Sequence, residues 1–454
     1  LSRGLGDVYK RQGKTCTQLY QPARTFWPEM RRMLANLKEQ KGLVMRASNL
    51  PSAPTADTDP RAYGDTQLAA GHRLVRSGDE VVVLGNAQAR TVAEDPAHYS
   101  SGVSRFMQLP NGLDGAQHEQ FRSLIDAYLT PDALEPFEPA FRKAARSVAA
   151  DIRAGRAEGI SLREPVDAVA DIGAPFAVRA MLAWLGWPEQ METRLIEWVA
   201  ENNAATRSGE LQRTAAVAEA FDDMIREVVE PLKSGTSSAT TEAREALSPL
   251  LGKDHAFPAP SVTEQLVNDR SLGRPLEFEE LVSILRNWTA GDLSSMAYCI
   301  GVLIHALADN EPVRRRLQAG VSHEEFTAIA DEILRQDSPF VSNRRVTTCP
   351  VNLDGVELDE GQRVRIHWTA ANRDPDAVGE PDAFAPGESG NAAANLVWGA
   401  GPHACPGKYL SMLELKCFTE ELLAVFELVQ VDEGGARRET YPVGGWAELP
   451  TYLK

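Results

Sequence analysis

The chain has 454 residues, 43% of them apolar and 24% charged, and a formal net charge of −17. That composition suits a compact globular protein and excludes a disordered or fibrous chain; the acidic balance, with no long Lys/Arg run, excludes a general nucleic-acid binder. Cys16, Cys299, Cys349, Cys405 and Cys417 stand far apart, a usage that fits a reducing, cytoplasmic compartment better than a disulfide framework.

Residues 1–12 lack the apolar centre of a signal peptide and join poorly to the residues after them, so they are set aside as a cloning or assembly remnant, leaving 13–454 as one domain. HRLVRSGDEVVVLG (72–85) is expected to form strands. EQFRSLIDAYL (119–129), AFRKAARSVAADIRAG (140–155), TAAVAEAFDDMIREVVEPL (214–232) and TAIADEILRQ (327–336) repeat apolar residues every three or four positions and are expected to be helices. The basic clusters RKAAR (142–146) and RRR (314–316) are expected on solvated helix faces. Residues 234–262, rich in Ser, Thr, Pro and Gly, suggest a surface loop or a lid.

From Phe278 to Ala308 apolar residues continue without proline, which predicts a helix of about 30 residues, roughly 45 Å long at 1.5 Å per residue. Its most apolar part, 296–308, contains a histidine and falls short of the roughly 18–20 residues of a membrane span, so no membrane span is expected. In its middle, Gly291, Asp292, Ser294 and Ser295 are poor choices for a buried helix, and local rules tend to break where function sits. RVTTCPVNLDGVELDEGQRVRIHW (345–368) supplies a second β region, with a hairpin turn at Asp354-Gly355. The chain is therefore mainly α with a small β-rich region.

Near the carboxyl end WGAGPHACPG (398–407) sets Cys405 on a loop nearly stripped of side chains, just before the helix-like KYLSMLELKCFTEELLAVF (408–426). Gly399, Gly401 and Gly407 leave room for backbone to approach a flat ligand or a sulfur anion, and a helix amino terminus favours a thiolate. A zinc site needs four clustered ligands, and only His403 lies near. A lone cysteine points instead to a metal already held by a macrocycle.

The segment Trp398-Gly399-Ala400-Gly401-Pro402-His403-Ala404-Cys405-Pro406-Gly407 resembles the haem-binding loop of the cytochrome P450 monooxygenases, with Trp398 in place of the usual phenylalanine. Other landmarks come in order: Glu332 and Arg335 resemble the Glu-x-x-Arg pair, Arg345 (with Arg344 as competitor) the propionate-binding arginine, and His118 and Arg122 the His-x-x-x-Arg pair. The resemblance implies the cytochrome P450 fold, a triangular prism of helices around a long central one. It implies haem b ligated by Cys405, with His118, Arg122, Arg345 and His403 neutralising the propionates and Trp398, Gly399, Gly407 and Gly291 shaping the haem site. Where the family has Ala-Gly-x-Asp/Glu-Thr, this chain has Ala290-Gly291-Asp292-Leu293-Ser294-Ser295. Asp292 with Ser294 or Ser295 is expected to replace the acid and alcohol that manage protons on the oxygen side, and Leu285, Trp288, Thr289 and Ala290 are expected to line the substrate pocket. The activity implied is that of a monooxygenase using O2, a small organic substrate and electrons from a separate ferredoxin, flavodoxin or reductase. A peroxide-driven peroxygenase and a non-catalytic haem sensor or carrier are the alternatives. NWTAGDLSS, SRFMQLPNGLDGAQH (104–118) and PVGGW (442–446) further resemble bacterial members that attack aromatic ethers and thiocarbamates.

Overall fold

A computed structural model describes residues 45–104, 107–157, 164–233, 260–427 and 429–454. The readings of residues 1–12, Cys16 and 234–259 fall outside the described residues.

Nine helices matter for the site: α1 Asn86–Glu94, α2 Gly115–Asp126, α3 Glu138–Ala157, α4 Ala174–Leu185, α5 Glu192–Ser208, α6 Leu211–Lys233, α7 Phe278–Asp309, α8 His323–Gln336 and α9 Lys408–Val425. The strands that accompany them are β1 Leu74–Ser77, β2 Glu80–Val83, β3 Tyr99–Ser100, β4 Ser342–Thr347, β5 Val351–Leu353, β6 Val356–Leu358 and β7 Arg363–His367. One sheet runs β1-β2-β7-β4-β3, antiparallel except for the parallel β2/β7 pair. In the hairpin β5/β6, Asp354 (φ 51°) and Gly355 (φ 82°) take the two left-handed positions of its turn. Three further strands, Val429–Val431, Trp446–Glu448 and Pro450–Leu453, were not predicted, because so few residues show no period.

The long helix is α7, 32 residues. A reciprocal cap between Glu277 and Glu280 starts it, and the chain turns at Asn310 into a short helix with Pro312 in its first turn. The segment Ala168–Gly173 and α4 pack on one side of it. The approach is close: a Cβ on Gly173 would lie 2.7 Å from the Ala297 carbonyl oxygen, and one on Gly301 would lie 2.7 Å from Val169 Cγ2. Ala168–Leu185 and Phe278–Asp309 are apolar and long enough to cross a membrane, but 72% and 61% of their apolar windows are buried in the structure. Their hydropathy serves the core.

The basic clusters are less solvated than expected. Arg142 bridges Glu138 to Glu420 and Glu421, tying α3 to α9, and Arg314 is buried, donating to the Leu307 carbonyl. The apolar periodicity places both helices, while the partners of these arginines come from distant sequence.

Candidate active site

The Cys405 loop is a tight backbone construction. The Cys405 N–H donates to the Trp398 carbonyl at 2.8 Å, Ala404 N–H to Gly401 at 3.0 Å, and Gly399 N–H to Leu396 at 2.9 Å. Gly399 (φ 72°) and Gly401 (φ 69°) occupy left-handed backbone that side chains resist. One glycine serves a purpose different from that expected: a Cβ on Gly401 would lie 2.5 Å from the Ala93 carbonyl oxygen, so Gly401 makes room for α1 and not for a ligand. Gly401→Ala is therefore expected to cost about 2 kcal/mol or more, from the strained φ and the overlap together, measured as a lower denaturation midpoint. Gly407 stands beside the sulfur, where an added Cβ would lie 3.9 Å from Sγ.

Cys405 is open to solvent, yet burial around it raises its thiol pKa, against the Gly407 N–H, Arg122 and Lys408, which favour the thiolate. The sulfur thus sits at the floor of a recess. A cation placed over it would supply what the protein alone does not.

Beside this recess basic side chains gather. His118, on α2, is buried; its Nε2 has no partner, and its ring centroid lies 4.1 Å from that of His403. Burial, then His403 and Arg122, push its pKa down to about 4. His403 Nε2 meets Asp114 Oδ1 at 3.1 Å, and Asp114 also accepts from Ser100 Oγ at 2.5 Å and from the Ser101 N–H. Although burial opposes its charge, these donors hold Asp114 below the usual carboxylate range.

Arg345 is 6% exposed, and its Nη1 donates to the Arg344 carbonyl at 2.8 Å. Burial lowers its pKa, Asp114 being the acid that opposes this. Its competitor Arg344 is exposed and pairs with Glu80 at 3.1 Å. Arg122 donates to Asp126 and to the Pro402 and Ala404 carbonyls at 2.9 and 2.8 Å, so in this structure it braces the cysteine loop. A partnerless buried His118 Nε2 and a buried Arg345 with no carboxylate in contact, among the described residues, fit the acid groups of a haem.

On α7, whose Asp292 acts electrostatically on Cys405, runs a half-open stripe. Ala290, Ser294 and Ser295 are partly exposed and Gly291 is exposed, with nothing within 4 Å of an added Cβ on that glycine. The expected pocket residues divide here. Ala290 lies on the stripe, but Leu285 and Thr289 are fully buried, and Trp288 packs at a tilt between Tyr128 (5.6 Å) and Trp184 (5.0 Å). Those three turn into the core, because helical periodicity gives a stripe but not its rotation.

Asp292 also turns away from the serines, and no hydrogen bond joins it to Ser294 or Ser295 among the described residues. Its Oδ2 is buried without a hydrogen-bond partner, as are both carboxylate oxygens of Glu414 on α9, the acid that acts on it. Burial pushes both carboxyls up, and the two share the site without a neighbouring cation. Ser294 Oγ is buried without a partner as well. The sequence signal for Glu414 was a lone acid in the apolar run LSMLELKC (410–417).

Glu332 and Arg335 on α8 form a buried two-point pair at 2.8 and 2.9 Å. Glu332 also accepts from Asn391 Nδ2 and the Ala385 N–H, and Arg335 donates to the Asn372 and Pro381 carbonyls. One pair thereby holds the segment that leads to the cysteine loop.

A recess cysteine, a part-open helix stripe and buried bases match the arrangement expected of a haem-thiolate protein. The cytochrome P450 family model matches residues 326–450. Erythromycin C-12 hydroxylase of Saccharopolyspora erythraea is 26% identical over 78% of this chain and 84% of its own, and cytochrome P450-terp of a Pseudomonas species is 21% identical over 87% and 90%. Among solved structures, open cytochrome P450 EryK from S. erythraea superposes with a TM-score of 0.71 at 22% identity, covering 86% of this chain and 95% of that one. CYP101J2 gives 0.71 at 20% identity, covering 90% and 99%. The chain thus has the cytochrome P450 fold and is similar, in sequence and in structure, to the cytochrome P450 monooxygenases, which carry haem b.

Proposed function

We propose that Cys405 would hold the haem iron through its sulfur, that His118, Arg345 and His403 would receive the haem propionates with Arg122 bracing the loop, and that the stripe Ala290, Gly291, Ser294 and Ser295 would border the oxygen and substrate space. The observation that carries this reading is a buried His118 Nε2 without a partner and a buried Arg345 with no carboxylate in contact, among the described residues, together with an accessible cysteine. A haem held there by a thiolate would supply oxygen insertion: with two electrons and two protons, one atom of O2 would enter a C–H bond and the other would leave as water.

The substrate in this reading is a small organic, aromatic molecule, hydroxylated or O-dealkylated in the cytoplasm by residues 13–454 acting as one domain. The shortness of the side chains on the stripe and the resemblance of NWTAGDLSS to ether-attacking members support it. Electrons come from a separate ferredoxin, flavodoxin or reductase. Turnover of a panel of aromatic ethers with ferredoxin, reductase and NAD(P)H tests this. Faster turnover with hydrogen peroxide alone favours the peroxygenase, the second reading, which the parting of Asp292 from the serines keeps in play.

Asp292 and Glu414 hold a proton between them in this reading and return it to the recess past Ser294. Asp292→Asn is expected to lower product formation by about 10²-fold, the scale of a positioned proton donor, while substrate binding, read from the spectral shift, stays near wild type. The raised carboxyl pKa also sets a sign. Stability is fully present below the unfolded value near 4 and is lost as pH rises toward about 7; melting temperature followed between pH 5 and 8 should fall less for Asp292→Asn than for wild type.

A further inference from the structure

Family pattern places phenylalanine where this chain has Trp398, and an indole brings a hydrogen-bond donor that phenylalanine lacks. In the structure that donor has a dedicated acceptor. Trp398 Nε1 donates to Asp331 Oδ1 at 2.6 Å, while the other oxygen of Asp331 accepts from Lys408 Nζ at 2.9 Å. Trp398 precedes Cys405 by seven positions and Lys408 comes three after it, so a single carboxylate on α8 grips both arms of the loop that carries the sulfur. The grip is compact: the ammonium lies 5.7 Å from the indole ring centroid, and the Asp331 carbonyl accepts from Asn395 Nδ2 at 3.2 Å. Asp331 is the immediate neighbour of Glu332, whose pairing with Arg335 fixes α8 at this point.

We propose that Asp331 is a positioning residue for the sulfur ligand, tying Trp398 to Lys408 across the Cys405 loop and keeping the indole N–H turned away from the sulfur. The inference rests on Cys405 being that ligand. Hydrogen bonds to a ligating sulfur withdraw electron density and raise the reduction potential, so an indole that can redirect its N–H changes the electronics of the site as well as its shape. Trp398 and Cys405 are already joined through the backbone hydrogen bond at 2.8 Å, which keeps the ring near the cysteine when its outer anchor is removed.

The test is a double-mutant cycle on haem-loaded full-length protein with Asp331→Ala, Trp398→Phe and both together. It reads the ferric/ferrous potential and the rate at which the reduced, carbon monoxide-bound form loses its red-shifted Soret band. Asp331→Ala is expected to raise the potential and to speed loss of the band roughly tenfold, the scale of one hydrogen bond to a charged acceptor. Removing a negative charge shifts the potential in either background; the excess shift found only where Trp398 is present measures the positioning effect. Equal shifts with and without Trp398, or a lower melting temperature with the potential and the band unchanged, overturn the proposal. Asp331→Asn guards against misfolding: it keeps an acceptor for the indole and should retain most of the wild-type band lifetime. A wild-type protein that never shows the red-shifted band instead overturns Cys405 as the ligand, a separate failure.

Discussion

Cys405→Ser is expected to abolish the far-red Soret band of the reduced, carbon monoxide-bound protein and, with it, all oxygen insertion. The reason lies in the loop. Its backbone gives the sulfur one N–H, from Gly407, and its nearest cations are Arg122 and Lys408. That is enough to favour a thiolate under iron, but not an alkoxide, whose proton is held far more tightly. A serine would leave the haem weakly bound or ligated by water, with the propionate contacts intact. The absorption spectrum of reconstituted protein reads this directly; a red-shifted band that survives the substitution would show that the ligand is another residue.

The second large effect falls on folding. Glu332→Ala leaves Arg335 fully buried with its charge unanswered, and removing one member of a buried pair costs about 3–5 kcal/mol, a large share of the roughly 5–15 kcal/mol that usually holds a domain together. Asn391 and the Ala385 N–H lose an acceptor at the same time. The expected outcome is poor soluble yield and haem incorporation, with a much lower denaturation midpoint in whatever folds. Arg335→Lys should not rescue, because a lysine cannot make the two-point contact and also reach the Asn372 and Pro381 carbonyls. Wild-type melting of either variant would contradict this account.

The features that the sequence disclosed and those it hid differ in range. The Cys405 loop was legible because its determinants are local: glycines at left-handed positions and a cysteine at a helix start within ten residues. Glu332 and Arg335 were legible because a helix brings positions three apart onto one face. Asp331, Asp114 and Glu414 were not, since each is meaningful only through a partner chosen by tertiary packing: Trp398 lies 67 residues from Asp331, and His403 lies 289 from Asp114. The length of α7 was readable from its apolar continuity, but its rotation was not. Of the residues expected along the pocket, Leu285, Trp288 and Thr289 are therefore buried, while Ala290 is partly exposed. Arg345 and Arg344 differ only in the fold, where strand alternation buries one and sets the other beside Glu80.

The close crossing at Gly173 and Gly301 carries a last consequence. Backbone and side chain meet there with no slack, so α7 behaves like a keyed shaft: it can neither spin to present new residues to the recess nor slide along its axis. New chemistry on this scaffold must then arise by exchanging side chains already on the exposed stripe or by rebuilding the loops around it, and enlarging either glycine should jam the shaft at a distance from the haem pocket.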